Sequence, residues 1–148
     1  MIVDDHEISR AACRALLRTE GLDITADLGT GSDVLAAVRA VHPDVAIIDV
    51  TPAADAGFAI ARRLRALPVP PVVILTSSAD RARFGTQVNG YRFLAKGDIS
   101  ATAIASLANT PHCADSTPAH LDAATAPHFP TCQAQTPDLP GTTDRSIR

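Results

Sequence analysis

Two adjacent carboxylates, Asp4 and Asp5, close the first apolar stretch of this 148-residue chain. A third, Asp49, ends the continuous apolar run Val45-Ala46-Ile47-Ile48. Thr76 ends the run Val72–Leu75, and Lys96 closes Tyr91–Ala95. Carboxylates brought close together repel unless a cation lies among them, and hard oxygen donors suit Mg²⁺, which keeps several of its waters. A carboxylate held beside such an ion is a nucleophile for a phosphoryl donor and would form an acyl phosphate. A hydroxyl and an ammonium nearby would neutralise charge on the transferring oxygens. Each residue alone has an ordinary role, with Asp as a helix cap or turn former, Thr as a capping hydroxyl and Lys as a solvated charge. What separates these five from that background is that all fall at the same end of consecutive apolar segments.

The elements that must position them alternate regularly over the first 109 or so residues. Met1–Asp4 is a short strand. A helix follows over His6–Glu20, with Ile8, Ala12, Ala15 and Leu16 at helical spacing and Gly21 as its stop. Leu22–Leu28 reads as a strand, and Ser32 is the expected N-cap of a helix running through Val41. After the strand that ends at Asp49, the pattern gives a helix over about Gly57–Leu67, a strand Val72–Thr76 and a short helix over about Asp80–Val88. A strand Tyr91–Ala95 and a last helix over about Ser100–Leu107 complete it. Strands apolar on both faces, such as Val45–Ile48 and Val72–Leu75, belong to sheets covered on both sides. The expected fold is therefore α/β, a doubly wound parallel sheet of five strands with helices on both faces. In such sheets ligands sit beyond the carboxyl ends of the strands, where the chemistry-bearing residues of this chain cluster.

From about residue 109 the character changes. Six of the eleven prolines fall there, among many Ala, Thr and Asp and without periodicity, so residues 109–148 read as a disordered Pro/Ala/Thr-rich tail. Composition excludes several classes. Hydrophobic residues make up 46% of the chain but aromatics only 3%, so the core must be aliphatic. A net charge of −3 provides no basic surface for nucleic acid. No apolar run reaches the roughly 18 residues of a membrane span, and no leader pattern precedes Asp4, so a cytoplasmic protein without membrane contact is expected. Cys13, Cys113 and Cys132 show no paired spacing, and Cys13 reads as a small core residue. His112, Cys113, His120, His128 and Cys132 fit no zinc spacing, while His6 and His42 read as helix-end residues.

Over about residues 1–108 the chain resembles the receiver domain of bacterial two-component response regulators, with a flavodoxin-like fold. The resemblance is carried by IVDDHEISRAACRALLRTEG (2–21), PDVAIIDV (43–50), GFAIARRLRAL (57–67), VVILTSS (72–78) and FLAKGDIS (93–100). Each motif is weak alone and the set is specific. The wording of the first and last is similar to regulators whose output is often a helix-turn-helix, and more so to their stand-alone actinobacterial relatives. The resemblance implies that Asp49 is the phosphoacceptor and that Asp4 and Asp5 join it in holding Mg²⁺. It implies that Thr76 follows the phosphoryl group, that Lys96 contacts it, and that Phe93 is the aromatic switch. A sensor histidine kinase as donor, an unknown downstream protein and a homodimer formed on phosphorylation are implied partners. Pro52 follows Asp49 at three positions where the family has four, Gly97 stands where many members have proline, and the stretch from Thr76 to Phe93 is short.

Three other classes compete. A DNA-binding output domain would need about 60 further residues in amphipathic helices, which the tail does not offer, so no direct DNA binding by this chain is expected. A phosphatase with an aspartyl nucleophile would place a second Asp two residues on, where this chain has Thr51. A receiver that no longer takes phosphate would serve as a phosphorylation-independent docking module. The expected protein is not an enzyme acting on a separate substrate but a phosphoacceptor that assists its own modification.

Overall fold

A computed structural model describes residues 1–110. Five strands, β1 (Ile2–Val3), β2 (Asp27–Leu28), β3 (Val45–Asp49), β4 (Val72–Ser77) and β5 (Arg92–Ala95), form one sheet in the order β2-β1-β3-β4-β5. Every pairing is parallel. Four α-helices, α1 (Glu7–Thr19), α2 (Val34–Val41), α3 (Ala56–Arg65) and α4 (Ala101–Asn109), provide three of the crossovers and the closing layer. Side-chain alternation along the strands divides the core in two. Val3, Ala46, Ile48, Val73 and Leu75 pack with Val34 and Val38 of α2 and with Phe58, Ala61 and Leu64 of α3. Ile2, Ile47 and Ile74 face the other way, toward Leu17 of α1 and Ile104 of α4. This is the doubly wound sheet expected, and the chain turns from one side of β1 to the other between β2 and β3. The crevice beyond the strand ends at β1 and β3 is therefore the switch point of the sheet.

Local chemistry accounts for the helix ends. The His6 ring Nδ1 accepts the Ser9 N–H at 3.2 Å and caps α1, and Gly21 at φ +88° ends it. Residue 42 holds a left-handed φ of 42° that ends α2 just before Pro43, so both histidines sit at helix ends as expected. Ser32 does not cap α2. Asp33 does, its carboxylate accepting the Ala36 N–H at 3.0 Å, because the shorter ladder starts one residue later. The strand expected over Leu22–Leu28 shrinks to Asp27–Leu28, since β1 offers only two residues to pair with it. Ile24 is buried all the same, on the α1 side.

The fourth crossover is the main departure. The helix expected over Asp80–Val88 is a pair of 3₁₀ turns, Arg81–Val88, broken at Gly85 with φ 53° and ψ −125°. Only glycine adopts that conformation readily, so the break is written into the sequence. Asp80 caps the first turn through the Ala82 N–H at 2.7 Å. The tail expected over 109–148 lies outside the described residues beyond Thr110, and Asn109 and Thr110 close α4. Among the described residues no helix is long and apolar enough to cross a membrane.

Gly57, in the first turn of α3, lies against the strand that carries Asp49. A Cβ there would fall 2.3 Å from the Asp49 carbonyl oxygen and 3.0 Å from Val50 Cγ1. Gly57→Ala must push α3 away from β3. It should lower unfolding stability by about 2 kcal/mol or more in urea titration, a size reached by overpacking against backbone.

Candidate functional site

Register brings the site together. Ile2 pairs with Ile47 and Val3 with Ile48, so one rung further sets Asp4 level with Asp49. Asp49 pairs with Thr76, and Ser77 with Ala95, just before Lys96. Alternation puts Asp4, Asp49, Thr76 and Lys96 on the side of the sheet that faces α1. Phe93 falls on the other side.

Lys96 is the hub. Its ammonium lies 2.8 Å from Asp4 Oδ2 and 2.9 Å from Asp49 Oδ1 and donates to Ser9 Oγ at 3.1 Å. Ser9 Oγ in turn donates to Asp4 Oδ2 at 2.9 Å, and the other Asp4 oxygen accepts the His6 N–H at 2.8 Å. Asp4 is only 4% exposed, so its charge stands on these partners. Burial pushes its pKa up, but the bonds from Lys96, His6 and Ser9 outweigh burial and hold it below the ordinary value. Asp49 behaves oppositely. Burial raises its pKa, Lys96 opposes, and the charges of Asp4 and Asp5 add to the rise. Burial lowers that of Lys96, but both carboxylates carry it above the ordinary value. Asp4 and Asp49, with Asp5 next in the chain, supply the hard oxygen donors that Mg²⁺ prefers, so the residues present fit the ion in donor type.

Not all of them converge. The Asp5 side chain is exposed and turned to the loop after β2, where Thr30 N–H and Oγ1 each donate to one of its oxygens at 2.5 Å. Among the described residues, no three His, Cys, Asp or Glu side chains stand close enough to enclose a metal ion. Thr76 Oγ1 is buried and has no hydrogen-bond partner. An open cleft of about 460 Å³ exposes Asp49 and Lys96 between His6, Ser9, Thr51, Pro52 and Ser77–Ala79. Phe93 packs against Phe84 with ring centres 5.6 Å apart, and the Arg81 guanidinium covers its ring at 5.6 Å. Phe84 reaches on to Phe58 of α3 at 6.0 Å.

Sequence reasoning missed Ser9 and Thr30. Ser9 stands five residues after Asp4 in the first turn of α1, a spacing that returns a side chain to the strand end. Thr30 lies between Gly29 and Gly31, but nothing in the pattern ties it to Asp5, because their contact depends on how β1 and β2 align.

The family model for the response regulator receiver domain matches residues 1–106. The chain belongs to that family and is a receiver domain of two-component signalling. Among curated proteins it is similar to the DNA-binding response regulator MtrA of Mycolicibacterium smegmatis, 38% identical over 80 residues, covering 54% of this chain and 35% of that protein. A putative transcriptional regulator of Pseudomonas aeruginosa is 31% identical over 84 residues, covering 57% and 41%. The transcriptional regulatory protein CseB of Streptomyces avermitilis is 34% identical over 80 residues, covering 54% and 34%. The matched part of the chain thus spans about a third to two-fifths of these relatives.

Two outcomes follow from the site. Thr76→Val removes a buried hydroxyl that has no partner while keeping its shape, so it should stabilise the domain by about 1 kcal/mol in urea unfolding. Asp49→Asn removes a carboxylate whose folded pKa is raised, so folding favours its neutral form. Its charge costs stability as pH rises from 3.8 through the folded value. The variant should melt a few degrees higher than wild type near neutral pH, and the gain should fade in calorimetry at about pH 4 as wild-type Asp49 protonates. Asp4 has the opposite sign, with stability lost as pH falls from 3.8 through its lowered value.

Proposed function

We propose that this receiver accepts a phosphoryl group from a sensor histidine kinase onto Asp49 in a Mg²⁺-dependent step and thereby changes its partner binding. The observation that carries the reading is the Lys96 ammonium joining Asp4 and Asp49 beneath an open cleft, beside the unbonded Thr76 hydroxyl. An Asp49 oxygen attacks phosphorus, the bond from phosphorus to the kinase histidine nitrogen breaks, and the departing imidazole takes up a proton. Lys96 already touches Asp49 and would turn to an oxygen of the bound group. Thr76, level with Asp49 on the next strand, would donate its free hydroxyl to another. Asp4, Asp5 and Asp49 would hold the metal ion, which supplies Lewis-acid neutralisation of the phosphoryl oxygens.

Readout would pass from Thr76 to the strand and turns beside it. Phe93, against Phe84 and under Arg81, starts from an inward position, so its part in switching is a small repacking rather than a large swing. On this reading the chain is a phosphoacceptor that assists its own phosphorylation and dephosphorylation and not an enzyme with a separate substrate. It acts in the cytoplasm on an unknown downstream protein, with a homodimer as one phosphorylated form. It has no direct contact with DNA, although relatives are named as DNA-binding regulators. The attachment of Asp5 to Thr30 favours a second reading, a docking module that works without phosphate.

Acetyl phosphate with Mg²⁺ distinguishes the two. Peptide mapping by mass spectrometry should find the phosphoryl group on Asp49 alone, with no adduct in Asp49→Asn or when Mg²⁺ is chelated. An Asp49→Asn protein that labels like wild type would falsify the assignment.

A further inference from the structure

The Asp5 carboxylate is held in a place built for it. Its Oδ1 accepts the Thr30 N–H and its Oδ2 the Thr30 Oγ1, so both oxygens are taken by one residue. Residue 29 comes so close that a Cβ there would lie 3.1 Å from Asp5 Oδ1, which makes the glycine part of the fit. The other charged site residues, Asp4, Asp49 and Lys96, are bound to each other, and Asp5 has no hydrogen bond to any of them. An ion shared by Asp5 and Asp49 would draw on oxygens that already accept from Thr30, so the ion and Thr30 share one carboxylate.

We propose that Gly29 and Thr30 form a cradle that withholds Asp5 and so sets the affinity of the domain for its metal ion. The inference rests on Asp5 and Asp49 being metal-holding residues. Thr30 is then a positioning residue that acts through Asp5 and touches neither the ion nor the phosphoryl group. Its hydroxyl competes with the ion for Oδ2, and its amide competes for Oδ1. Hydrogen bonds to a charged acceptor are stronger than neutral ones, but this pair is exposed to water, so each changes an equilibrium by a modest factor.

The test uses the full chain with Mn²⁺ as probe, read by the electron paramagnetic resonance of free Mn²⁺, and with Mg²⁺ as competitor. Thr30→Val keeps the shape and the amide but loses the hydroxyl. It should bind about threefold to tenfold more tightly than wild type. Thr30→Ser should return affinity to within about twofold of wild type. In ¹⁵N–¹H spectra of wild type, the Thr30 amide should move upfield with Mg²⁺ saturation as its bond to the carboxylate weakens, a signal that a merely structural role would not give. Equal or weaker binding by Thr30→Val, or a Thr30 amide that stays fixed while wild type fills with metal, would overturn the cradle. Should Thr30→Val fail to fold, the wild-type amide titration decides alone. Asp5→Asn keeps the two failures apart, because wild-type affinity in that variant would instead remove Asp5 from the metal site.

Discussion

The pairing of one ammonium with two carboxylates organises this domain. Strand ends that carry Asp4 and Asp49 stand level on neighbouring strands at the centre of the sheet, and Lys96 offsets the repulsion between their charges. A parallel sheet sets the spacing of its strands through the backbone, so the side chains at its rim must settle their electrostatics afterwards. Here the fifth strand brings its charge across the fourth to reach the first and the third. The result is lopsided: Asp4 is well satisfied and Asp49 is not. That imbalance leaves Asp49 poorly solvated, partly repelled by its neighbours and open to the cleft.

The sheet was readable from the chain because its strands are apolar on both faces. Val45–Ile48 and Val72–Leu75 have no alternation to hide them, and each is followed by a residue of another kind, Asp49 or Thr76. Four of the five site residues meet for the same reason, since runs that end at the same rim deliver their terminal side chains to one place. What could not be read depends on alignment between strands or on single hydrogen bonds. The choice of Asp33 over Ser32 as a cap turns on one residue of helix register. The loss of strand at Leu22–Ala26 follows from the shortness of β1, which no propensity in the second strand reveals. Asp5 sits beside Asp4 in sequence yet faces a different partner, because adjacent residues at a strand end point in opposite directions. Gly85 was visible as a glycine, but its effect on the fourth crossover depends on a positive φ that spacing alone does not indicate.

The two faces of the sheet are also unequal in what they can transmit. On the α1 side, aliphatic packing of Ile2, Ile47, Ile74, Leu17 and Ile104 lies directly under the charged rim. On the other side a chain of aromatic rings, Phe58, Phe84 and Phe93, joins α3 to the fourth crossover and to β5. Such ring pairs add specific geometry to the area they bury, so this side of the sheet links β5 to α3 through oriented contacts.

The broken crossover has a thermodynamic consequence. Two 3₁₀ turns hold poorer hydrogen bonds than one α-helix of the same length, and a glycine between them prevents the turns from supporting each other cooperatively. Opening Arg81–Val88 therefore takes less free energy than opening β4, whose amides are covered on both sides. In hydrogen exchange the segment belongs to the class of amides released by local fluctuation, and the central strands to the class released by global unfolding. The surface beside Phe93 thus opens at lower cost than the central strands, and its resting conformation is one member of a set.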